Sequence, residues 1–307
     1  MTQTRTAAWL GMRRAVCRFI IQGDGMAQRN GLPQAFFCRI GHDASWNTGA
    51  PCSLANKAYK IGPMIPIGDD NTGRRTTPWV TWTLIAMNVI VFVFLEGFGA
   101  NQRFINAYSA VPGKILTGRD IVTRDHIVTD PSTGQRFLVP GLQHTPVPMW
   151  LTILTSMFMH AGIAHIAGNM LYLFIFGDNI EDRLGHFRYL LFYLFCGVVA
   201  SLSQVYVTEL THGDLLVPSL GASGAIAGVL GGYLLLFPRN RVRVLMFRFI
   251  TSVPAIFAVG IWFLFQVIAE LGVLGQDTGG GVAYAAHIGG FAAGFITVKP
   301  WGVGRRA

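Results

Sequence analysis

Gly221-Ala222-Ser223-Gly224-Ala225-Ile226-Ala227-Gly228-Val229-Leu230-Gly231-Gly232-Tyr233 opens on a hydroxyl and is otherwise small and apolar until its final tyrosine. It lies in a window, 215–238, without Asp, Glu, Lys or Arg. A hydrocarbon core about 30 Å thick is crossed by about 20 such residues as a helix, because only a helix satisfies its own backbone donors and acceptors in lipid. Five more charge-free windows occur, at 76–95, 137–177, 189–208, 249–269 and 278–298. The second is too long for one helix. Its first part holds Pro140, Gly141, Pro146 and Pro148, so the helix is expected at 161–176 and the remainder in a long first loop. The expected fold is an all-α membrane protein: residues 64–307 form a six-transmembrane-helix bundle, with spans at about 76–95, 161–176, 189–208, 222–237, 250–270 and 281–298.

Composition agrees with a membrane chain. Of 307 residues, 51% are hydrophobic and only 13% charged, well below the charge content of ordinary soluble domains. The net charge of +9 would suit a nucleic-acid binder if it formed one basic face, but its distribution fits a membrane topology instead. With the N-terminus inside, the inner segments carry Arg74, Arg75, Arg183, Arg188, Arg239, Arg241, Arg243, Arg248, Lys299, Arg305 and Arg306. The short outer loops 209–214 and 270–277 carry no Lys or Arg. Arg103, Lys114, Arg119, Arg124 and Arg136 fall outside, in the first loop, whose length lets it escape the positive-inside rule. Both termini are therefore expected in the cytoplasm.

Residues 1–63 contain no spanning window and no clear period. Their first part, Arg-rich and acid-poor, imitates an organellar presequence; a disordered tail or a misassigned start upstream of Met64 is the expectation preferred. Cys17, Cys38, Cys52 and Cys196 show neither CxxC spacing nor an evident pairing, so free thiols are expected, and neither a disulfide framework nor a zinc site. No dinucleotide or phosphate-binding glycine loop occurs, and no nucleic-acid partner is expected.

Polar side chains inside membrane helices cost free energy and point to function. Here they cluster: His160, His165 and Asn169 at the second span, Ser223 at the fourth and His287 in the sixth. Counted down to the first inner charge, His165 stands 13 residues above Asp178, Ser223 16 above Arg239 and His287 12 above Lys299, or about 20, 24 and 18 Å. All three lie near one level in the outer half of the bilayer. His165 and Asn169 are four apart and share a face.

For Ser223 and His287 to bond, two helix axes must come unusually close, which small residues allow. The fourth helix supplies Ala227 and Gly231 beside Ser223, with Gly224, Gly228 and Gly232 alongside; the sixth supplies Gly290 and Gly294 on the face of His287. Ser223 also begins its helix, where unpaired amides and the positive dipole end favour an oxyanion. No Asp or Glu lies in any window, so a dyad is expected: His287 takes the Ser223 proton and returns it to the leaving amine, while His165, Asn169 and the Ser223 amide donate to the tetrahedral oxyanion. The surroundings are not a G-x-S-x-G elbow, since position 225 is Ala.

His160, His165 and Asn169, then Gly221-x-Ser223-Gly224, then Ala286-His287-x-x-Gly290-x-x-x-Gly294, in this order on three helices, resemble the rhomboid intramembrane serine proteases over about 64–298. The resemblance implies cleavage of single-pass transmembrane proteins near the extracytoplasmic boundary, with Ser223 as nucleophile, His287 as base, His165 and Asn169 at the oxyanion, and His160, Gly221, Gly224, Gly290 and Gly294 in support. It implies no metal and no organic cofactor. It also implies that helix 5 and the loop about 272–281 move to admit substrate, with which Pro254 and Gly279-Gly280-Gly281 are compatible. Targets with Gly or Pro near the cut are expected, because a hydrogen-bonded helix hides its carbonyls.

Two departures stand out. Ala227 replaces an aromatic that in some members packs on the catalytic histidine, so His287 must be oriented by other neighbours; the first loop offers Trp150 where many bacterial members carry Arg. Two rivals remain. One is an inactive relative that escorts membrane-protein clients, although such chains usually lack nucleophile or base. The other is a transporter or metal binder, disfavoured because His160 and His165, five apart, do not face one way and no inverted repeat is seen. His160 is expected to orient its neighbours through a hydrogen bond. A multi-pass protein of a bacterial inner membrane is expected, with oligomeric state open.

Overall fold

The computed structural model describes residues 65–129, 134–246, 248–270 and 283–302. Residues 1–64, with the expectation of a tail, and the glycine run 279–281 lie outside them. Among the described residues, β1 (Ile65–Gly68) leads to α1 (Trp79–Ile90), which runs on as a π-helical turn, Val91–Leu95. The first loop holds α2 (Gln102–Tyr108), α3 (Pro112–Thr117), the hairpin β2 (His126–Thr129) and β3 (Arg136–Val139), and the short α4 (Thr152–Thr155) between 3-10 turns. Then come α5 (Ile163–Leu184), α6 (His186–Leu210), α7 (Ser223–Leu236), β4 (Arg241–Met246), β5 (Phe249–Pro254), α8 (Ala255–Glu270) and α9 (Tyr284–Trp301).

The chain is not all-α. β4 and β5 form a hairpin between α7 and α8, with Arg241 opposite Pro254 and Met246 opposite Phe249, and β1 adds to β4. The cause is a period of two: Val242 and Val244 are fully buried while Arg241 and Arg243 are exposed, and Phe249 to Val253 is rich in β-branched residues. A search for charge-free runs is blind to that alternation. The helix expected at 250–270 therefore starts at Ala255, and Pro254 closes a strand instead of interrupting a helix. The helix expected at 161–176 runs on to Leu184, because Asp178, Glu181 and Asp182 are held by the chain before and at the start of α1.

That junction shows how the helices are stapled. α1 has no side-chain cap of its own, since Pro78 stands at its N-cap. Glu181 from α5, fully buried, supplies one: its carboxylate accepts from Val80 N at 2.8 Å, Thr81 N at 2.7 Å and Thr81 Oγ1 at 2.7 Å. An anion on orphan amides at the positive end of a helix is favourable.

The core between helices is built from Leu173, Phe176, Ile180, Tyr189, Phe192, Tyr193, Val229 and Tyr233. The outward faces are apolar as well: Phe94 is 77% exposed and Ile296 71%. Exposed large apolar residues in such density suit lipid, not water. Among the described residues, α6 is by length and composition the one helix able to cross a membrane, with a second span if Met149–Phe158 and α5, bent by 81°, count as one; 79–95, α7 and the apolar part of α8 (Ala255–Ile268) are apolar but shorter.

The first loop is packed, not slack. Lys114, 2% exposed, donates to Asp120 Oδ1 at 2.8 Å, Gln143 O at 2.7 Å and Thr145 Oγ1 at 2.8 Å, so its buried charge is fully engaged. Burial raises the Asp120 carboxyl, but the bonds from Lys114 and Thr145 N outweigh it and hold the group below its ordinary range. The loop then grips the segment before Ser223: Ala110 and Ser219 exchange backbone bonds of 3.0 and 2.8 Å, and Gly113 N donates to Leu215 O at 2.8 Å.

Candidate active site

Ser223 is the first residue of α7, and its N-cap, Ala222, offers no side-chain acceptor. The first-turn amides are thus left without a side-chain partner from the cap. Gly221, two residues earlier, has φ +129°, a conformation side chains rarely adopt, and its N–H donates to Ser156 O at 2.9 Å. A Cβ there would lie 3.0 Å from His165 Nε2 and Cε1 and 3.6 Å from Ser223 Oγ. Gly221 therefore leaves one small space bordered by both the imidazole of α5 and the hydroxyl of α7.

α9 reaches the same place because α7 and α9 touch backbone to backbone. A Cβ on Gly290 would collide with Gly224 O, and one on Gly294 with Gly228 O. Gly224 itself faces Ala200 of α6, whose methyl would lie 2.6 Å from a Cβ at that position. The two glycine-lined helices bring His287 Nε2 to 2.8 Å from Ser223 Oγ. A neutral imidazole accepts the hydroxyl proton at that nitrogen only if its other nitrogen carries hydrogen. Nδ1 faces Gln266 Oε1 of α8 at 2.7 Å, in a place where an acceptor suits it.

Asn169, on the face of α5 shared with His165, is 8% exposed, and its Nδ2 has no partner among the described residues. An orphan buried donor is costly and rare. His165 Nδ1 accepts from Ala161 N at 3.4 Å, leaving Nε2 toward Gly221. His160 lies directly beside His165. Its ring is fully buried edge-on to that of His165, centroids 5.1 Å apart, and interacts with the backbone of Phe158. Its backbone N donates to both Glu96 oxygens at 3.1 Å.

Gln266 escaped the sequence reading. A neutral amide in an apolar helix leaves a charge-free window intact, although a polar residue at that depth is itself a signal. The packing of His287 without an aromatic at position 227 is also visible: Trp262 of α8 lies 5.9 Å away and Tyr284 6.5 Å, edge-on.

The Rhomboid domain family matches residues 147–301, half of the chain, a stretch that includes His165, Asn169, Ser223 and His287. The chain belongs to the rhomboid family. That is a family of integral membrane proteins that includes proteases acting on transmembrane substrates within the bilayer. Among rhomboid relatives, rhomboid protein 1, mitochondrial, of Saccharomyces cerevisiae is 33% identical over 156 residues, 50% of this chain and 43% of the yeast protein. The rhomboid protease GluP of Bacillus subtilis is 26% identical over 228 residues, 74% of this chain and 35% of GluP. The human presenilin-associated rhomboid-like protein, mitochondrial, is 30% identical over 168 residues, 50% of this chain and 41% of that protein. The chain thus spans less than half the length of these relatives.

Proposed function

We propose that this chain is an active serine endopeptidase that hydrolyses peptide bonds of single-pass transmembrane proteins within the bilayer. Ser223 Oγ attacks the scissile carbonyl while His287 Nε2 takes its proton; the tetrahedral oxyanion accepts from the Ser223 N–H, His165 and Asn169. His287 then protonates the leaving amine, and water releases the acyl group by the same steps in reverse roles. The observation that carries this reading is the 2.8 Å contact between Ser223 Oγ and His287 Nε2, supported by the buried Asn169 Nδ2, which has no partner among the described residues.

Six helices, α1 and α5 to α9, cross the membrane in this proposal, with both termini on the side rich in arginine. α7, at 14 residues, rises only about 21 Å, less than the hydrocarbon core, so Ser223 at its outer end sits below the membrane surface. The irregular residues before it are tolerated at that depth because Ala110 and Ser156 satisfy their backbone groups. A bacterial plasma membrane is the location proposed, supported by the GluP alignment running over 74% of the chain against 50% for the yeast mitochondrial relative.

Purified protein in detergent, incubated with a single-pass reporter substrate, tests the function. Wild type cleaves, chelators have no effect, and Ser223→Ala and His287→Ala lower the rate by about three orders of magnitude or more. Equal cleavage by all three, or no cleavage by wild type while it binds the substrate, refutes the proposal; the latter result identifies an inactive escort of membrane clients.

A further inference from the structure

We propose that Gln266 of α8 is the positioning residue for the general base, doing with a neutral amide what a carboxylate does in a soluble serine-protease triad. The proposal rests on the protease reading above. His287 touches Ser223 through Nε2 and Gln266 through Nδ1, at 2.8 and 2.7 Å on opposite edges of one ring. Both nitrogens cannot accept. With Ser223 donating to Nε2, the proton of the neutral imidazole must sit on Nδ1, and the Gln266 carbonyl oxygen is what accepts it. Gln266 is 6% exposed, so its oxygen is shielded from competing water.

A second observation explains why such a device is needed here. Ala227, fully buried one turn after Ser223, provides no ring to hold the imidazole. Trp262, four residues before Gln266 on the same helix face, flanks the ring at 5.9 Å but fixes neither its tautomer nor its rotation as a hydrogen bond does. Trp262 is itself held near Tyr172 of α5, and Phe263 stacks on Phe291 of α9 at 3.9 Å, so the helix that carries the amide is fastened on two sides. When His287 takes the serine proton, the amide dipole keeps the imidazolium oriented without placing a full negative charge in the membrane, which costs far more than an amide there.

The test compares wild type, Gln266→Leu and Gln266→Glu in cleavage of a single-pass reporter in detergent, with kcat and KM determined separately and thermal unfolding followed in parallel. Gln266→Met, of matching length without an amide, replaces Leu if that variant does not fold. The apolar variants lose kcat by about 10- to 100-fold, part of the contribution of a positioned base, with KM within about twofold and an unchanged unfolding midpoint. Gln266→Glu, which keeps an acceptor at Nδ1, recovers at least half of the loss on a logarithmic scale. An active wild type with unimpaired apolar variants overturns the assignment alone. So does a loss confined to KM or stability, or a Glu variant no better than Leu. A wild type that does not cleave overturns the protease reading and this assignment with it.

Discussion

Glu181 and Asn169, near opposite ends of α5, are partnered in opposite ways. Where α5 ends, both Glu181 oxygens are engaged, by Val80 N, Thr81 N, Thr81 Oγ1 and His186 Nδ1, and Asp182 Oδ1 accepts from Arg75 N, Thr76 N and Thr76 Oγ1. Where α7 begins, Asn169 Nδ2 is buried without a partner among the described residues, and Ser223 follows an N-cap without a side-chain acceptor. The first end uses polar atoms as staples between helices. In the proposed mechanism, the second keeps donors unspent, at a cost in stability, for a group that arrives only during reaction.

This contrast is sharpest for Glu181→Ala, which removes the acceptor of four donors at once, two of them buried. It lowers stability by about 3 kcal/mol or more, read as a fall in the unfolding midpoint in detergent, while the protein that stays folded keeps its catalytic rate. Asn169→Ala does the reverse: kcat falls about 100-fold, equivalent to about 2.7 kcal/mol of transition-state stabilisation, and the unfolding midpoint holds or rises because an orphan is removed. A stability loss at Asn169 as large as at Glu181 would erase the distinction. Gly294→Ala sits between the ends. Its Cβ meets Gly228 O, so α7 and α9 must separate, with about 1–3 kcal/mol lost in stability and a rate drop as His287 leaves Ser223.

The smallest effect is one of pH. Asp69, beyond β1, has its carboxyl pushed up to about 6 by burial, only partly offset by hydrogen bonds from Tyr233 and Asn179. A raised carboxyl favours the folded state while protonated, so that contribution is complete below the ordinary value of 3.8 and is lost as pH rises through about 6. The unfolding midpoint falls across that interval, and Asp69→Asn flattens the profile. An unchanged slope in the variant assigns the pH dependence to other groups.

What was legible in the sequence follows from what each search could register. Ser223 and His287 stood out because each lies on a small-residue face of an apolar helix, and close approach of such faces is a property of local composition. β4 was hidden since its exposed arginines kept it out of every charge-free window, and β5 since Phe249 to Pro254 is itself charge-free and merged with the window of α8. The true end of α5 was hidden since Asp178, Glu181 and Asp182 resemble a membrane boundary, whereas their partners, Arg74, Thr81 and Thr76, lie about a hundred residues away. Gln266 was hidden because its meaning depends on one contact across helices, which no spacing within α8 encodes. The place of the buried His160 ring against His165 likewise depends on what surrounds it in three dimensions.

The central claim is that glycine-permitted contact of α7 with α9 makes Ser223 a nucleophile. Reaction of the purified protein with a fluorophosphonate probe, followed by mass mapping of the adduct, measures it directly. The label is expected on Ser223 in wild type, absent in Ser223→Ala and nearly absent in His287→Ala. A label on another serine, or His287→Ala labelled at the wild-type rate, would contradict it.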